Sequence, residues 1–253
     1  MEEKIKYSIV TVCYQAADTI EKTMASVMSQ TYRNYEYIII DGLSTDGTVQ
    51  KIKQRIKNSQ LKNDVVFVSE RDSGLYNAMN KGIKRCTGDY VLFLNSGDFF
   101  YDDHVLEYVA DIIGSRKDIS DIYYGDVVRM YADHKKIERY PGKNIILKLL
   151  LMGRMPCHQS MFVNTQVMRY YGFDESFSIT ADYNFLMRCR KGKHPMGYLP
   201  LIVSCSDAVA GVSSQQENIL LMWKQDDRSL KENFPVWYYL LVPIKFVKRR
   251  LLG

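Results

Sequence analysis

Four short apolar runs separated by amphipathic stretches constrain most strongly what this chain can fold into. YSIVTVC (7–13), YEYIII (35–40), VVFVSE (65–70) and YVLFL (90–94) are rich in β-branched and aromatic residues. Near-continuous runs of this kind read as strands buried on both faces. Between them the spacing predicts helices. Ile20, Met24, Val27 and Met28 fall at i, i+4, i+7 and i+8, and Val49, Ile52 and Ile56 share a face. Leu75, Ala78, Met79, Gly82, Ile83 and Cys86 trace a third stripe. A β-α-β-α-β-α-β order builds an α/β fold, a single Rossmann-like domain with a largely parallel central sheet flanked by helices. Ligands of such sheets gather beyond the carboxyl ends of the strands. Those ends carry Tyr14-Gln15, Asp41-Gly42, Glu70 to Gly74 and Asn95 to Asp98.

Composition narrows the function. At 253 residues and 46% hydrophobic, the chain can bury one large core. A net charge of +5 is mild, and no nucleic-acid partner is expected from it. The five cysteines are scattered and form no CxxC pair, which fits reduced thiols in a cytoplasmic setting. Residues 1–6 are charged and the first apolar run is short, so no secretory leader is expected. No run approaches the ~18 apolar residues that a membrane span requires. A dinucleotide-dependent oxidoreductase is disfavoured because VCYQAAD, not GxGxxG, follows the first strand.

The second half reads less regularly. Residues 104–114 and 144–152 read as helices, DIYYGDVV (121–128) as a strand, and HQSMFV (158–163) as a strand before a short helix. A domain over 1–212 is expected, with a nucleotide-binding half over about 5–100 and an acceptor half over 101–212. A helical extension occupies 213–253.

Four segments carry a resemblance: SIVTVCYQAADTIEKTMASVMSQTYRNYEYIIIDGLSTDGT, SERDSGLYNAMNKGI, FLNSGD and TADYNFLMRC. Over roughly residues 5 to 210 the chain resembles the family 2 glycosyltransferases, inverting enzymes with the GT-A fold. In flavour it is similar to bacterial enzymes that build cell-surface polysaccharides. The resemblance implies a nucleotide-sugar donor, a UDP-sugar by expectation, and a saccharide or lipid-linked acceptor. Carried over residue by residue, it implies donor binding by Thr11, Val12, Cys13, Tyr14, Asp41 and Asp72, with Lys81 near phosphate or ribose. It assigns the general base to Asp182, in the first turn of a helix whose N-terminus favours the ionised carboxylate. His158 and Gln159 are candidates for contact with donor or acceptor.

The family's DXD turn holds Mn²⁺ or Mg²⁺ against the diphosphate. Here that turn reads Asn95, Ser96, Gly97, Asp98. Both motif carboxylates are missing, so Asp98 is the expected metal ligand and Asn95, Ser96 and Gly97 the donor contacts. A metal-independent variant is the alternative for the cofactor. A fold relic that binds without catalysis is the alternative for the function.

The tail FPVWYYLLVPIKFVKRRLLG (234–253) joins an aromatic, apolar cluster to a basic one. Such a segment suits an anionic bilayer surface, and peripheral contact with the inner face of the plasma membrane is expected. Packing on the domain or on a second subunit of a homo-oligomer is the alternative, and Pro243 argues against one uninterrupted helix.

Overall fold

In the computed structural model the described residues are 4–59, 64–140, 155–207 and 216–252. The predicted helix over 144–152 lies outside them, as does the domain boundary at 212. The first half follows the expected alternation: β1 Tyr7–Cys13, α1 Ile20–Met28, β2 Tyr35–Asp41, α2 Thr48–Lys57, β3 Val65–Ser69, α3 Leu75–Ile83 and β4 Tyr90–Phe93. A two-residue β5 (Phe99–Phe100) and α4 (Val105–Gly114) close it. Next come β6 Ile122–Met130, β7 Lys135–Glu138, a 3₁₀ turn at His158–Ser160 and β8 Met161–Asn164. They are followed by α5 Thr165–Tyr171, α6 Ala181–Lys191 and β9 Met196–Asp207. Helices α7 (Ile219–Asn233) and α8 (Pro235–Leu252) end the chain.

One sheet runs β3-β2-β1-β4-β8-β6-β9-β5, with β7 hairpinned onto β6. Strands β1 to β4 pair in parallel, as do β6 and β9. Strand β8 is wedged antiparallel between β4 and β6. The pleat divides the core. Val10, Val12, Ile38 and Ile40 pack toward α3, α5 and α6, while Tyr7, Ile9, Tyr37 and Ile39 pack toward α1, α2 and α4. Each fully buried isoleucine of β2 contributes about 1.5–3 kcal/mol over an exposed one. This is why the run tolerates no polar interruption after Glu36.

Two local readings change. His158 to Ser160 form a 3₁₀ turn, and the strand begins only at Met161. Pro243 sits inside the single helix α8. Its missing N–H would have bonded the Tyr239 carbonyl one turn back, and both residues are exposed. That carbonyl is open to solvent, so losing one hydrogen bond does not end the helix.

The C-terminal helices are docked on the domain. Gln225 Oε1 of α7 accepts from the backbone N–H groups of Ile179 and Thr180, at 3.0 and 3.2 Å, just ahead of α6. Asn184 of α6 donates to Ser229 at 3.1 Å.

Candidate active site

The carboxyl ends of β1 and β4, the β6–β7 hairpin and the start of α6 enclose a cavity of about 1090 Å³. Of the expected site residues, Val12, Cys13, Tyr14, Asp72, Asn95, Ser96, Gly97, Asp98, His158, Gln159 and Asp182 line it. Thr11, Asp41 and Lys81 stand apart.

The three outliers have local reasons. Thr11 is fully buried in mid-strand, and its hydroxyl donates to the Leu94 carbonyl at 2.7 Å. Asp41 ends β2 in register with Cys13 on one side and Ser69 on the other. Its carboxylate is fully buried between them, accepting from the Ser69 hydroxyl at 2.6 Å and the Ser44 N–H at 3.0 Å. That is the turn-opening role of an Asp. Lys81 pairs with Glu70 at 3.1 Å and donates to the Arg71 carbonyl at 2.6 Å.

Asp72, not Asp41, is the carboxylate that lines the cavity on this side. Gly42 permits this: a Cβ there would lie 2.6 Å from Asp72 Oδ2 and 3.2 Å from Tyr14 Cδ2. Tyr14 is 65% exposed, an open aromatic face beside that carboxylate.

The turn after β4 is built by α1. Thr23 accepts from the Gly97 N–H at 2.9 Å and donates to the Asp98 carbonyl at 2.7 Å. Gly97 takes φ +100°, open to glycine at no steric cost. Asp98 is only 6% exposed, and its Oδ2 accepts from Gln159 Nε2 at 2.8 Å. Burial raises the Asp98 pKa, with Gln159, His158, Ser206 and the Asp207 N–H working against that rise. Asn95 offers a different resource: its Oδ1 is buried and has no hydrogen-bond partner.

Asp182 lies in the first turn of α6. Its Oδ1 accepts from the Tyr183 N–H at 2.9 Å and shares the one Tyr76 hydroxyl proton, at 3.2 Å, with the Ile179 carbonyl, at 2.6 Å; its Oδ2 lies 3.1 Å from His158 Nδ1. Burial, then the charge of Asp182, holds the Tyr76 pKa well above the usual phenol range, so it stays a donor.

Sequence reasoning missed several wall residues. Tyr76 lay in a predicted helix but outside its apolar stripe. Arg129, Lys136 and Arg139 come from the hairpin, and Asp207 and Asp226 from β9 and α7. Only the charges of KKIER (135–139) signalled an exposed edge. Among the described residues, six carboxylates (Asp72, Asp98, Glu138, Asp182, Asp207, Asp226) and three bases (Arg129, Lys136, Arg139) line the cavity.

Mn²⁺ or Mg²⁺ prefers oxygen ligands and leans on substrate phosphates and water. The unpartnered Asn95 Oδ1 and the Asp98 carboxyl fit such a cation as a sparse oxygen set. Among the described residues there is no group of three or more His, Cys, Asp or Glu side chains able to hold a metal.

Comparison with known proteins gives the family and the fold. The chain is 28% identical over 210 residues to a PGL/p-HBAD biosynthesis glycosyltransferase of Mycobacterium bovis, covering 82% of this chain and 79% of that one. It is 41% identical over 96 residues to the putative teichuronic acid biosynthesis glycosyltransferase TuaG of Bacillus subtilis, covering 38% and 37%. Among solved structures, S. aureus TarS 1–349 in complex with UDP-GlcNAc superposes with TM-score 0.68 at 16% identity, over 91% of this chain and 68% of that one. The mannosyltransferase PcManGT of Pyrobaculum calidifontis, in complex with GDP-Man and Mn²⁺, gives 0.67 at 14% identity, over 91% and 65%. This chain thus spans about two thirds of each solved neighbour, and the shared fold is GT-A. The model of glycosyl transferase family 2 matches residues 8–175, from the first strand to the approach to α6, and the chain belongs to that family.

Proposed function

We propose that the chain is an inverting glycosyltransferase that moves a sugar from a UDP-sugar to a hydroxyl of a saccharide or lipid-linked acceptor, in cell-surface polysaccharide assembly. The observation that carries this reading is that one cavity is lined by Asp72 and Tyr14, by the Asn95–Asp98 turn and by Asp182. The names of the relatives support the pathway class, and TarS supports a UDP-sugar.

Uracil presents an imide N–H that the Asp72 carboxylate accepts, whereas cytosine has no such proton; Tyr14 stacks on the ring. Asp182 takes the proton of the acceptor hydroxyl. The oxygen attacks the anomeric carbon on the face opposite the diphosphate, the bond from that carbon to the diphosphate oxygen breaks, and configuration inverts. A divalent cation held by Asn95 Oδ1 and Asp98 would supply positive charge beside the departing nucleoside diphosphate.

Helix α8 supports a peripheral membrane contact. It turns Leu241 and Lys245 inward, with Lys245 paired to Asp227 at 3.3 Å. Val236, Trp237, Tyr239, Leu240 and Ile244 are left exposed. No helix among the described residues is long and apolar enough to cross a membrane.

A screen of UDP-, GDP- and CDP-sugars for nucleotide release, with and without chelator, tests donor, base and metal together. D182N should lower kcat by about 10²–10⁴-fold while UDP still binds. Turnover of D182N at the wild-type rate would refute the base assignment.

A further inference from the structure

Asp182 is joined to the donor turn by a continuous chain of side chains. Asn95 Nδ2 lies 3.1 Å from His158 Nε2, and His158 Nδ1 lies 3.1 Å from Asp182 Oδ2. An amide nitrogen only donates, so His158 Nε2 accepts and the ring proton sits on Nδ1, directed at the carboxylate. Donors therefore run in one direction, from Asn95 through His158 to Asp182. Asn95 is used on one arm only, because its Oδ1 is buried without a partner. The ring is mostly enclosed, and its 3₁₀ turn is fastened by the Ser160 hydroxyl and N–H, both donating to the Cys157 carbonyl at 2.9 Å. On the other side of Asp182, Tyr76 and Tyr183 hold Oδ1. Without His158 no described side chain would fix Oδ2.

We propose that His158 is a positioning residue that ties the Asp182 carboxylate to the donor turn, so that a nucleotide sugar seated against Asn95 fixes the orientation of the base. This rests on the reading of Asp182 as base. His158 itself does not touch the reacting atoms; it acts through Asp182. A misplacement of a reacting group by about 1 Å costs on the order of 10²-fold in rate, which sets the size of effect expected.

The two ring nitrogens can be replaced separately. In H158N the amide stands near the Nδ1 position and can still donate to Asp182. In H158Q it reaches the Nε2 position and meets only Asn95. Full-length wild type, H158A, H158N, H158Q, N95A, N95A/H158A and D182N would be compared. UDP release is measured with the nucleotide sugar selected by the donor screen, and UDP is the calorimetric binding probe. H158A should lose about 10²-fold in kcat, with the UDP dissociation constant and the donor KM within about threefold of wild type. H158N should recover most of that loss and H158Q none. N95A, which also removes the Oδ1 arm, should cost clearly less in the H158A background than in wild type, the signature of residues acting in part through one another.

The tie is overturned if H158A keeps the wild-type kcat, if its loss falls on KM and UDP binding instead, if H158N does no better than H158Q, or if the kcat losses of N95A and H158A multiply. D182N separates this from the underlying reading. An inactive D182N beside a fully active H158A overturns the tie alone, and an active D182N overturns the base assignment on which it rests.

Discussion

Gln225→Leu tests whether the C-terminal helices are an appendage or part of the catalytic domain. Gln225 Oε1 is the acceptor for two buried backbone donors, Ile179 N–H at 3.0 Å and Thr180 N–H at 3.2 Å. Its Nε2 donates to Ser178 Oγ at 2.9 Å. Leucine fills nearly the same volume, so no cavity opens, but both N–H groups lose their partner. A stranded buried donor costs about 1–3 kcal/mol. Allowing for water reaching one of the two, Q225L should lose about 2–4 kcal/mol. Q225E keeps an oxygen at the accepting position and should stay within about 1 kcal/mol of wild type. Urea unfolding followed by tryptophan fluorescence measures the difference, since Trp223 lies on α7. Because the two donors sit just ahead of α6, the same variant should lower kcat through Asp182 more than it weakens UDP binding. An unchanged urea midpoint for Q225L, with m unchanged, would refute the reasoning and return α7 to the status of a loosely attached extension.

Glu36 predicts a pH-dependent stability. Burial pushes its carboxyl up, but the Ser8 hydroxyl, the Thr87 N–H and hydroxyl, and Lys6 outweigh that and hold it below the usual range. A lowered folded value means stability present above the unfolded value of about 4.3 and lost as pH falls through the folded one. E36Q should cost about 2 kcal/mol at pH 7, and the gap to wild type should close in acid; a gap that does not shrink below pH 4 would contradict it. For the membrane contact, L240D/I244D changes only exposed positions. It should abolish cosedimentation with phosphatidylglycerol vesicles while leaving UDP binding intact, and retention of vesicle binding would exclude this face of α8.

The parallel half was legible because burial on both faces leaves a sequence signature: β1 and β4 hide every side chain, and β2 all but Glu36. Strand β9 left none. Its MGYLPLIVSCSD mixes exposed Pro200 with Ser204 and Ser206, and those serines are buried because the sheet turns them inward, not because they are apolar. The hairpin strand β7 (KKIE) reads as a charged loop, since only β6 pairs with it. The site divides the same way. The 95–98 turn was legible from its place at the end of a buried strand. Asp182 was legible only through the family resemblance, since a first-turn acid by itself equally suits a helix dipole. Whether Asp41 or Asp72 faces the cavity was not, since the answer lies in which neighbours flank the end of β2. The partners of Asp182 were equally out of reach, for Tyr76 is 106 residues away in the chain.

The direction of β8 decides how the site is assembled, and no periodicity encodes it. Met161, Phe162 and Val163 are buried and apolar whichever way the strand runs. Because it pairs antiparallel with β4, with Tyr90 opposite Asn164 and Val91 opposite Val163, its beginning lies at the carboxyl end of β4. His158 and Gln159 therefore land on Asn95 and Asp98. A parallel β8 would have carried them to the opposite edge of the sheet. Strand β6, antiparallel to β8, and β9, parallel to β6, then bring Arg129 and Ser206 to the same edge, where they meet at 3.1 Å. One reversal of direction thus converts a nucleotide-binding half-sheet into a site with a second wall. Shifting the β4–β8 register by one residue would turn Met161 and Val163 to the other face of the sheet and displace His158 from Asn95. Substitutions that loosen this pairing, such as Val163→Gly, should therefore lower kcat together with stability, whereas equally destabilising changes in α2 should leave the kcat of the folded fraction unchanged.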